Sequence, residues 1–469
     1  MNRFTIEDAA LATGATIRSG DARRSATGVS TDTRTLRRGD LFLALSGPNH
    51  DGNRFARAAL ERGAAGVLLE DAGSAPLSEI PEVSRDTPVL LHRSPRSALS
   101  ALASWHRARI AAPVIGITGS CGKTTTKNVL LELLCGRIAA VGSPDSFNND
   151  IGVPHTLFLA DEASRAVVVE MGTNHPGEIA SLCRTARPTA GVVTCVGASH
   201  LEGLGSVEGV AAEKAALVEA IPEDGFCVLN ADCQWTSAMR RRTKARVITF
   251  SVEGDGDLDA RDVWSHKGGT TFRLDGQEGA LELTSPLLGL HNVQNLLAAL
   301  AACRGLGIPL EDVLPAVSKL RAGRRRLERI ETGRLTILDD SYNANPESAR
   351  ASVRVLAGFH GRGRRVLVLG DMLELGARGP ELHRDIGIEA ARAGLSMLVA
   401  VGDLAASAAQ GAVDGGLASV VRFESVDDAV LKLPTLAREG DVVLVKGSRR
   451  SGLDRVVQAL AASVREDAA

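Results

Sequence analysis

Gly116-Ile117-Thr118-Gly119-Ser120-Cys121-Gly122-Lys123-Thr124-Thr125-Thr126 is the segment whose residue types and spacing most directly specify chemistry. The apolar run Val114 to Ile117 leads into it as a strand. Val129, Leu130, Leu133 and Leu134 follow at helical spacing. Glycines at such a turn let backbone N–H groups face phosphate oxygens, and the helix N-terminus adds positive partial charge. Lys123 is placed to reach terminal phosphates and the Thr124 hydroxyl to ligate Mg²⁺. The strict nucleotide-loop pattern wants a glycine where Ile117 stands, and Gly116 and Gly119 take over. An ordinary glycine-rich turn with a solvated lysine is the bland alternative. The preceding strand and the Gly-Lys-Thr-Thr run favour ATP, held by Gly119, Ser120, Cys121, Gly122, Lys123, Thr124 and Thr125.

Carboxylates and a histidine recur at strand ends. Val167-Val168-Val169-Glu170 closes an apolar run on an acid, and Val196-Gly197-Ala198-Ser199-His200 follows the next one. Ligands gather at the carboxyl ends of strands in open parallel sheets, so Glu170 and His200 are candidate partners for a hard cation beside the phosphate loop. Each alone is more often a strand-end surface residue than a ligand, and it is their joint place at successive strand ends beside the phosphate loop that favours a site. Lys214 lies on a helical pattern, and spacing alone makes it an exposed helix lysine. Asn292 and Asn295 open an Ala/Leu-rich helix, where they either cap it or meet an adenine edge. Asp339-Asp340-Ser341-Tyr342-Asn343-Ala344-Asn345-Pro346 contains the single Tyr of the chain. It reads as a site at a strand end, with an Asx-turn before Pro346 as the alternative. Lys446-Gly447-Ser448-Arg449 ends the last apolar run in the same way.

The elements that must carry these groups follow from alternation. Residues 1 to 84 read as a small α/β domain whose exit begins near Ala72-Gly73-Ser74-Ala75-Pro76. Residues 85 to 320 alternate apolar runs with helical patterns, as βαβ units of a parallel sheet do, from the helical Ser97 to Arg109 through Phe226 to Leu229. From 321 to 469 the alternation restarts at Leu335 to Leu338, Val366 to Leu369, Met397 to Val401 and Val442 to Val445, a second doubly wound domain. Val420-Val421 is too short to assign. The basic run Lys319 to Arg329 around Gly323 reads as a hinge or as a solvated helix end.

Three domains suit the 469-residue length. Lys plus Arg number 54 against 56 Asp plus Glu, a net charge of −2, so no global basic field exists for nucleic acid or an anionic membrane. No apolar run is long enough to span a bilayer, and Glu7 and Asp8 interrupt the place of a signal-peptide core. Seven scattered cysteines without a Cys-x-x-Cys pair argue against a zinc site or a disulfide framework. Together these features make cytoplasmic, reduced thiols the expectation.

With these motifs in this order, the chain resembles the Mur ligases, ATP-dependent amide-forming enzymes of bacterial cell-wall synthesis. Ser30-Thr31-Asp32-Thr33-Arg34 and Gly39 to Leu45 resemble that family's nucleotide-sugar domain. Gly119 to Thr125, Asn148 to Pro154, Glu170-Met171-Gly172 and His200 to Gly203 resemble its central domain. Asp339 to Pro346, Gly370 to Gly376 and Lys446 to Arg449 resemble its last. The resemblance implies Mg²⁺ on Thr124, Glu170 and His200, a carbamoylated lysine at Lys214, adenine near Asn292 and Asn295, and Arg324 and Asp340 closing over the nucleotide. It implies substrate contacts from Ser30, Asp32, Thr33, Arg34, Asn148, Asn149, Tyr342, Asn343, Asn345, Lys446, Ser448 and Arg449, with Lys123 in catalysis. The Asp-Asp-Ser-Tyr-Asn-Ala-Asn-Pro string implies the reaction that joins D-alanyl-D-alanine to a UDP-N-acetylmuramoyl tripeptide through an acyl phosphate, in a monomer with small-molecule substrates. Two features depart from the family pattern: Cys121 inside the loop and the extra Arg325-Arg326. Rival readings are a relative that adds another amino acid, or glutamate to folate, and a P-loop nucleotide switch that forms no bond.

Overall fold

The computed structural model describes residues 1–47, 50–71, 86–276, 279–359 and 363–466. The domain exit at 72–76 and the boundary at 84/85 lie outside the described residues. The chain forms two compact units, one of residues 1–116, 135–172 and 179–190, the other of 117–134, 173–178 and 191–469.

In the first unit, five strands pair in the order Thr16–Ser19, Val89–His92, Gly66–Glu70, Asp40–Leu43, Gly28–Ser30. All neighbours run parallel except the first pair. Phe42, Ala44, Ala56, Ala59, Val67 and Val89 pack together as its core. With aromatics only 3% of the chain, small and branched aliphatic residues do most of this filling. The helix after this sheet is Pro95–Arg107, capped by Ser94, whose hydroxyl accepts from the Ser97 N–H. Ala140–Gly142 and Ala166–Glu170 also belong to this unit and pair in parallel.

The second unit holds the phosphate-loop helix Lys123–Leu134, the helix Val207–Glu219 and the helix Leu290–Gly305. Phe226–Asn230, Arg246–Ser251 and Leu258–His266 run parallel. The chain then turns back through Gly269–Gly276 and Gly279–Ser285 in an antiparallel meander. These antiparallel strands depart from the βαβ alternation expected for residues 85 to 320.

Its C-terminal sheet runs Glu328–Glu331, Thr336–Asp340, Val442–Lys446, Arg365–Gly370, Met397–Val401, Val420–Phe423. Only the first pair is antiparallel. Val420–Phe423, unassigned from sequence, is its edge strand, and pairing along Met397–Val401 gives this short segment its order. Ile337, Val368, Val399, Val443, Val456 and Leu460 fill one face.

Register sets up the chemistry here. Asp340 stands opposite Lys446 at the carboxyl ends of neighbouring parallel strands. The Lys446 ammonium lies 2.5 Å from Asp340 Oδ2 and donates to the Asn343 carbonyl at 3.2 Å. Lys446 is 2% exposed, so the pair is shielded from water. Lys446→Met leaves the Asp340 carboxylate without its counter-ion and is expected to destabilise the protein by about 3 kcal/mol, as loss of one member of a buried pair does. Urea unfolding monitored by circular dichroism reads this directly, and a change below about 1 kcal/mol, the scale of an exposed pair, would refute the buried-pair account.

Candidate active site

Strand Val114–Thr118 is wholly buried and delivers the chain into the glycine loop, and the helix starts at Lys123. Gly119 and Gly122 have φ of +153° and +81°, conformations that L side chains avoid. A Cβ on Gly119 would strike the Thr194 hydroxyl, and one on Gly122 the Asn295 side-chain oxygen. The glycines are therefore required both by backbone conformation and by close approach. Lys123 Nζ donates to the Gly119 carbonyl at 2.6 Å, holding the ammonium over the loop.

Ser120 is a junction. Its hydroxyl donates to the Gly197 carbonyl at 3.1 Å and accepts from the Gly197 N–H and the Ser199 hydroxyl. Asn345 Nδ2 donates to the Ser120 carbonyl at 2.9 Å, while Asn345 Oδ1 accepts from the Ser348 N–H and caps the helix Pro346–Ala357. One side chain thus starts a helix and reaches the phosphate loop. Asp339 accepts from the Ser341 N–H and hydroxyl, a local turn like the one weighed from sequence, although it forms six residues earlier than Asn345.

Ser120, Lys123, His200, Asn343, Asn345 and Arg449 line a single concavity, together with Glu374 and Ser448. His200 and Glu374 both hold left-handed backbone conformations, at φ +53° and +65°. Their side chains meet, His200 Nδ1 to Glu374 Oε2 at 2.8 Å, and this hydrogen bond holds the Glu374 carboxyl below its usual range. Strained residues that face each other across a cleft are characteristic of functional sites. Ser448 is buried and accepts from the Leu373 N–H, so its hydroxyl orders the Glu374 loop. Tyr342 lies beneath two guanidinium groups, Arg326 at 4.1 Å and Arg449 at 5.6 Å from the ring centre. Arg326 Nη2 also donates to the Thr124 hydroxyl at 2.9 Å.

In the first unit, Glu170 ends its strand 1% exposed, with Asn148 Nδ2 donating to its Oε1 at 2.8 Å. Asn149 Oδ1 accepts from the Ile151 and Gly152 N–H groups just ahead of the helix Gly152–Phe158. Ser30 Oγ donates to the Asp32 carbonyl, and the Arg34 guanidinium grips the Asp32 carboxylate at 2.7 Å, lowering its pKa. Thr33 is half-buried beside them.

Three domain models match the chain: the catalytic domain of the Mur ligase family at 25–107, the Mur ligase middle domain at 117–303 and the glutamate ligase domain at 325–449. The UDP-N-acetylmuramoyl-tripeptide–D-alanyl-D-alanine ligases of Escherichia coli and Bacillus subtilis are 37% and 34% identical to it, each alignment covering 92% of this chain and 93% of the relative. The chain belongs to the Mur ligase family. The crystal structure of MurF from Acinetobacter baumannii superimposes with a TM-score of 0.88 at 28% identity, over 98% of this chain and 99% of that one. MurF ligase from Thermotoga maritima in complex with ADP gives 0.80 at 25%, over 94% and 99%. The fold is the three-domain α/β fold of that family, and this Mur ligase is an ATP-using, amide-forming enzyme.

Within the Mur ligase frame, several residues differ from what spacing alone suggested. Lys214 is not exposed: it is 1% accessible on the helix Val207–Glu219. Burial, aided by the Lys123 charge, pushes its amine down to about 7. Asn292 and Asn295 do not cap their helix, whose N-cap is Gly289 without a side-chain bond. Asn292 donates to the Leu288 carbonyl, and Asn295 bridges Asn292 and the Thr126 hydroxyl, against the phosphate-loop helix. Arg324 is exposed, whereas Arg326 touches Thr124. Sequence reasoning noted the additional arginines without finding this contact. Arg325 and Leu327 both have positive φ, at +59° and +55°, and the chain turns so sharply there that helical or strand periodicity gives no guide to direction.

Proposed function

We propose that this Mur ligase joins D-alanyl-D-alanine to a UDP-N-acetylmuramoyl tripeptide, with ATP cleaved to ADP and phosphate. The observation that carries the reading is Asn345 of the Asp339–Pro346 string, whose amide reaches the Ser120 carbonyl of the ATP loop. That contact supports the reading because it joins the Asp339–Pro346 segment, whose string resembles that of the dipeptide-adding members, to the loop read as binding ATP.

In this mechanism a peptide carboxylate oxygen bonds to the γ-phosphorus as the bridge to ADP breaks, giving an acyl phosphate. The dipeptide amine then attacks the acyl carbon, phosphate leaves, and the amine's proton passes to solvent or a basic group. Lys123 offsets charge on the phosphoryl oxygens, the largest electrostatic demand of such a transfer. Residues 1–84 would bind the UDP-muramyl peptide through Ser30, Asp32, Thr33 and Arg34, and residues 85–320 ATP. Residues 321–469 would meet the dipeptide through Tyr342, Asn343, Asn345, Lys446, Ser448 and Arg449, with Asp340 and Arg324 toward the nucleotide.

Mg²⁺ would be held by Thr124, Glu170 and His200 and would neutralise phosphate charge. A buried carboxylate, a hydroxyl and an imidazole form a sparse set. Among the described residues no cluster of three His, Cys, Asp or Glu groups offers a complete cage. Magnesium commonly takes much of its coordination from substrate phosphates and water. The His200–Glu374 bond fits this set, because a carboxylate on one imidazole nitrogen fixes the ring for ligation through the other. Glu374→Ala is expected to raise the Mg²⁺ concentration for half-maximal activity by about 10- to 100-fold, the usual cost of losing such support. A magnesium titration of phosphate release measures it, and an unchanged midpoint would remove His200 from the ligand set.

Among the described residues no helix is long and apolar enough to cross a membrane. A cytoplasmic, monomeric enzyme agrees with small nucleotide-linked substrates. Phosphate release assayed with each substrate omitted in turn is the test of the whole reading. Release that requires both the UDP-muramyl tripeptide and D-alanyl-D-alanine is the expected result. Release indifferent to either would point to a nucleotide switch.

A further inference from the structure

Seven thiols are free, and one pair stands apart. Cys121 lies inside the phosphate loop and Cys195 two residues beyond the strand Ala190–Val193, with their sulfurs 2.9 Å apart. Backbone and side-chain contacts fix this approach. The Ser120 N–H donates to the Cys195 carbonyl at 2.9 Å, and the Thr194 hydroxyl donates to the Cys121 carbonyl at 2.5 Å. The Cys121 N–H points at Cys195 Sγ, 3.4 Å away. Both residues are partly accessible, whereas Cys183, Cys227 and Cys303 are buried and Cys135 lies exposed. Cys183 Sγ meets Met171 Sδ at 3.9 Å, and Cys233 contacts the Val196 carbonyl.

We infer that Cys121 and Cys195 are a redox pair whose disulfide locks the phosphate loop and weakens nucleotide binding. The inference rests on reading Gly119–Thr125 as the ATP loop. It concerns a covalent modification of that loop, not the ligase reaction.

The chemistry of the two thiols agrees with the geometry. The hydrogen bond from Cys121, with the charges of Lys123 and Lys214, outweighs burial and brings the Cys195 thiol down to about 7, whereas the same hydrogen bond and burial push the Cys121 thiol well above its ordinary value, so Cys195 attacks first and Cys121 resolves. Burial drives Cys227 up to about 11 and Cys303 up to about 12, where thiols are inert. With hydrogen peroxide as oxidant, Cys195 thiolate attacks one peroxide oxygen, breaking the O–O bond to give a sulfenic acid and hydroxide. The hydroxide takes the Cys121 proton, and the Cys121 thiolate attacks the Cys195 sulfur and expels a second hydroxide. That hydroxide is neutralised by the proton Cys195 first lost. Two thiols and one peroxide become one disulfide and two waters. A dithiol reverses the bond by exchange.

The consequence lies in the direction of one amide. Phosphate loops bind through inward-facing N–H groups, and the Cys121 N–H is turned to the Cys195 sulfur. A disulfide holds it there. The oxidised chain should bind nucleotide about 10- to 100-fold more weakly, the worth of a hydrogen bond to a charged phosphate.

The test treats the full chain with hydrogen peroxide, alkylates the remaining thiols, and maps cross-linked peptides by mass spectrometry beside a fluorescent-ADP titration. A Cys121–Cys195 cross-link, weakened ADP binding and recovery with dithiothreitol are the expected results. Cys195→Ser should keep the reduced enzyme's activity and lose the peroxide effect. A chain in which exposed Cys135 is oxidised but no Cys121–Cys195 cross-link forms would overturn the inference, as would a cross-link that leaves ADP affinity unchanged. Should the reduced wild-type chain bind no ADP, the ATP-loop reading itself fails, and the cross-link map still decides whether the two sulfurs are a redox pair.

Discussion

Lys123→Ala is expected to lower kcat by about a thousandfold with the fold intact, because a single electrostatic donor to a developing oxyanion is worth about 10²- to 10³-fold and the lysine of a phosphate loop serves more than one oxygen. The structure explains why folding should survive. The ammonium donates to its own loop carbonyl, Gly119, at 2.6 Å, a local bond whose loss leaves the surrounding elements in place. When triphosphate enters, that bond exchanges for bonds to phosphate oxygens. Lys123→Arg is a sharper probe. Arginine keeps the charge, but its planar fork must fit beside Gly119 and Gly122, which are hemmed in by Thr194 and Asn295. Both variants should therefore be impaired, Ala through lost charge and Arg through lost fit. Turnover of the Ala variant within tenfold of wild type, with a native circular dichroism spectrum, would sink the assignment of Gly119–Thr125 to ATP chemistry.

What the sequence disclosed, and what it concealed, divides along physical lines. The parallel strands of the C-terminal sheet were legible because strands buried on both faces must be apolar throughout, as in Val366 to Leu369 and Val442 to Val445. The glycine turn before Lys123 was legible because its glycines answer a backbone requirement that few other residues meet, and Gly119 and Gly122 do hold the positive φ. The meander was concealed because its first strand, Leu258–His266, is buried only over its first three residues, and the largely polar remainder resembles a loop. Lys214 was misread from spacing for a related reason: its burial comes from distant elements that pack over its helix, and nothing local signals it. The Cys121–Cys195 approach joins residues 74 apart in sequence and was equally invisible. Cys121 looked only like an irregular loop residue. Arg326 shows the limit most clearly. It was noted as one charge too many, and only the turn through Arg325 and Leu327 sends it to Thr124 while Arg324 faces solvent.

Lys214→Arg is expected to leave almost no activity, for either of two reasons, packing or chemistry. A surface lysine tolerates arginine at no cost in helix propensity or charge. Lys214 is 1% accessible, so arginine must bring a larger and permanently charged group into the same space. Loss of activity in that variant alone would therefore not distinguish chemistry from packing. The amine's own titration does. Burial lowers it to about 7, so a substantial neutral fraction exists near pH 7, and the neutral amine is the form that carbon dioxide converts to a carbamate. As pH falls below about 7 the ammonium takes over, and as pH rises the neutral fraction grows. If the carbamate organises the site, wild-type activity should fall on the acid side of that midpoint and drop in carbon-dioxide-depleted buffer at constant pH. Added bicarbonate should restore it. Lys214→Ala should be inactive yet partly recover with acetate, a small carboxylate that can stand in for the missing anion. Arg should not recover, because its side chain fills the space. Wild-type turnover independent of carbon dioxide, together with no acetate rescue of the Ala variant, would leave Lys214 as a buried neutral amine and remove the carbamate from the mechanism.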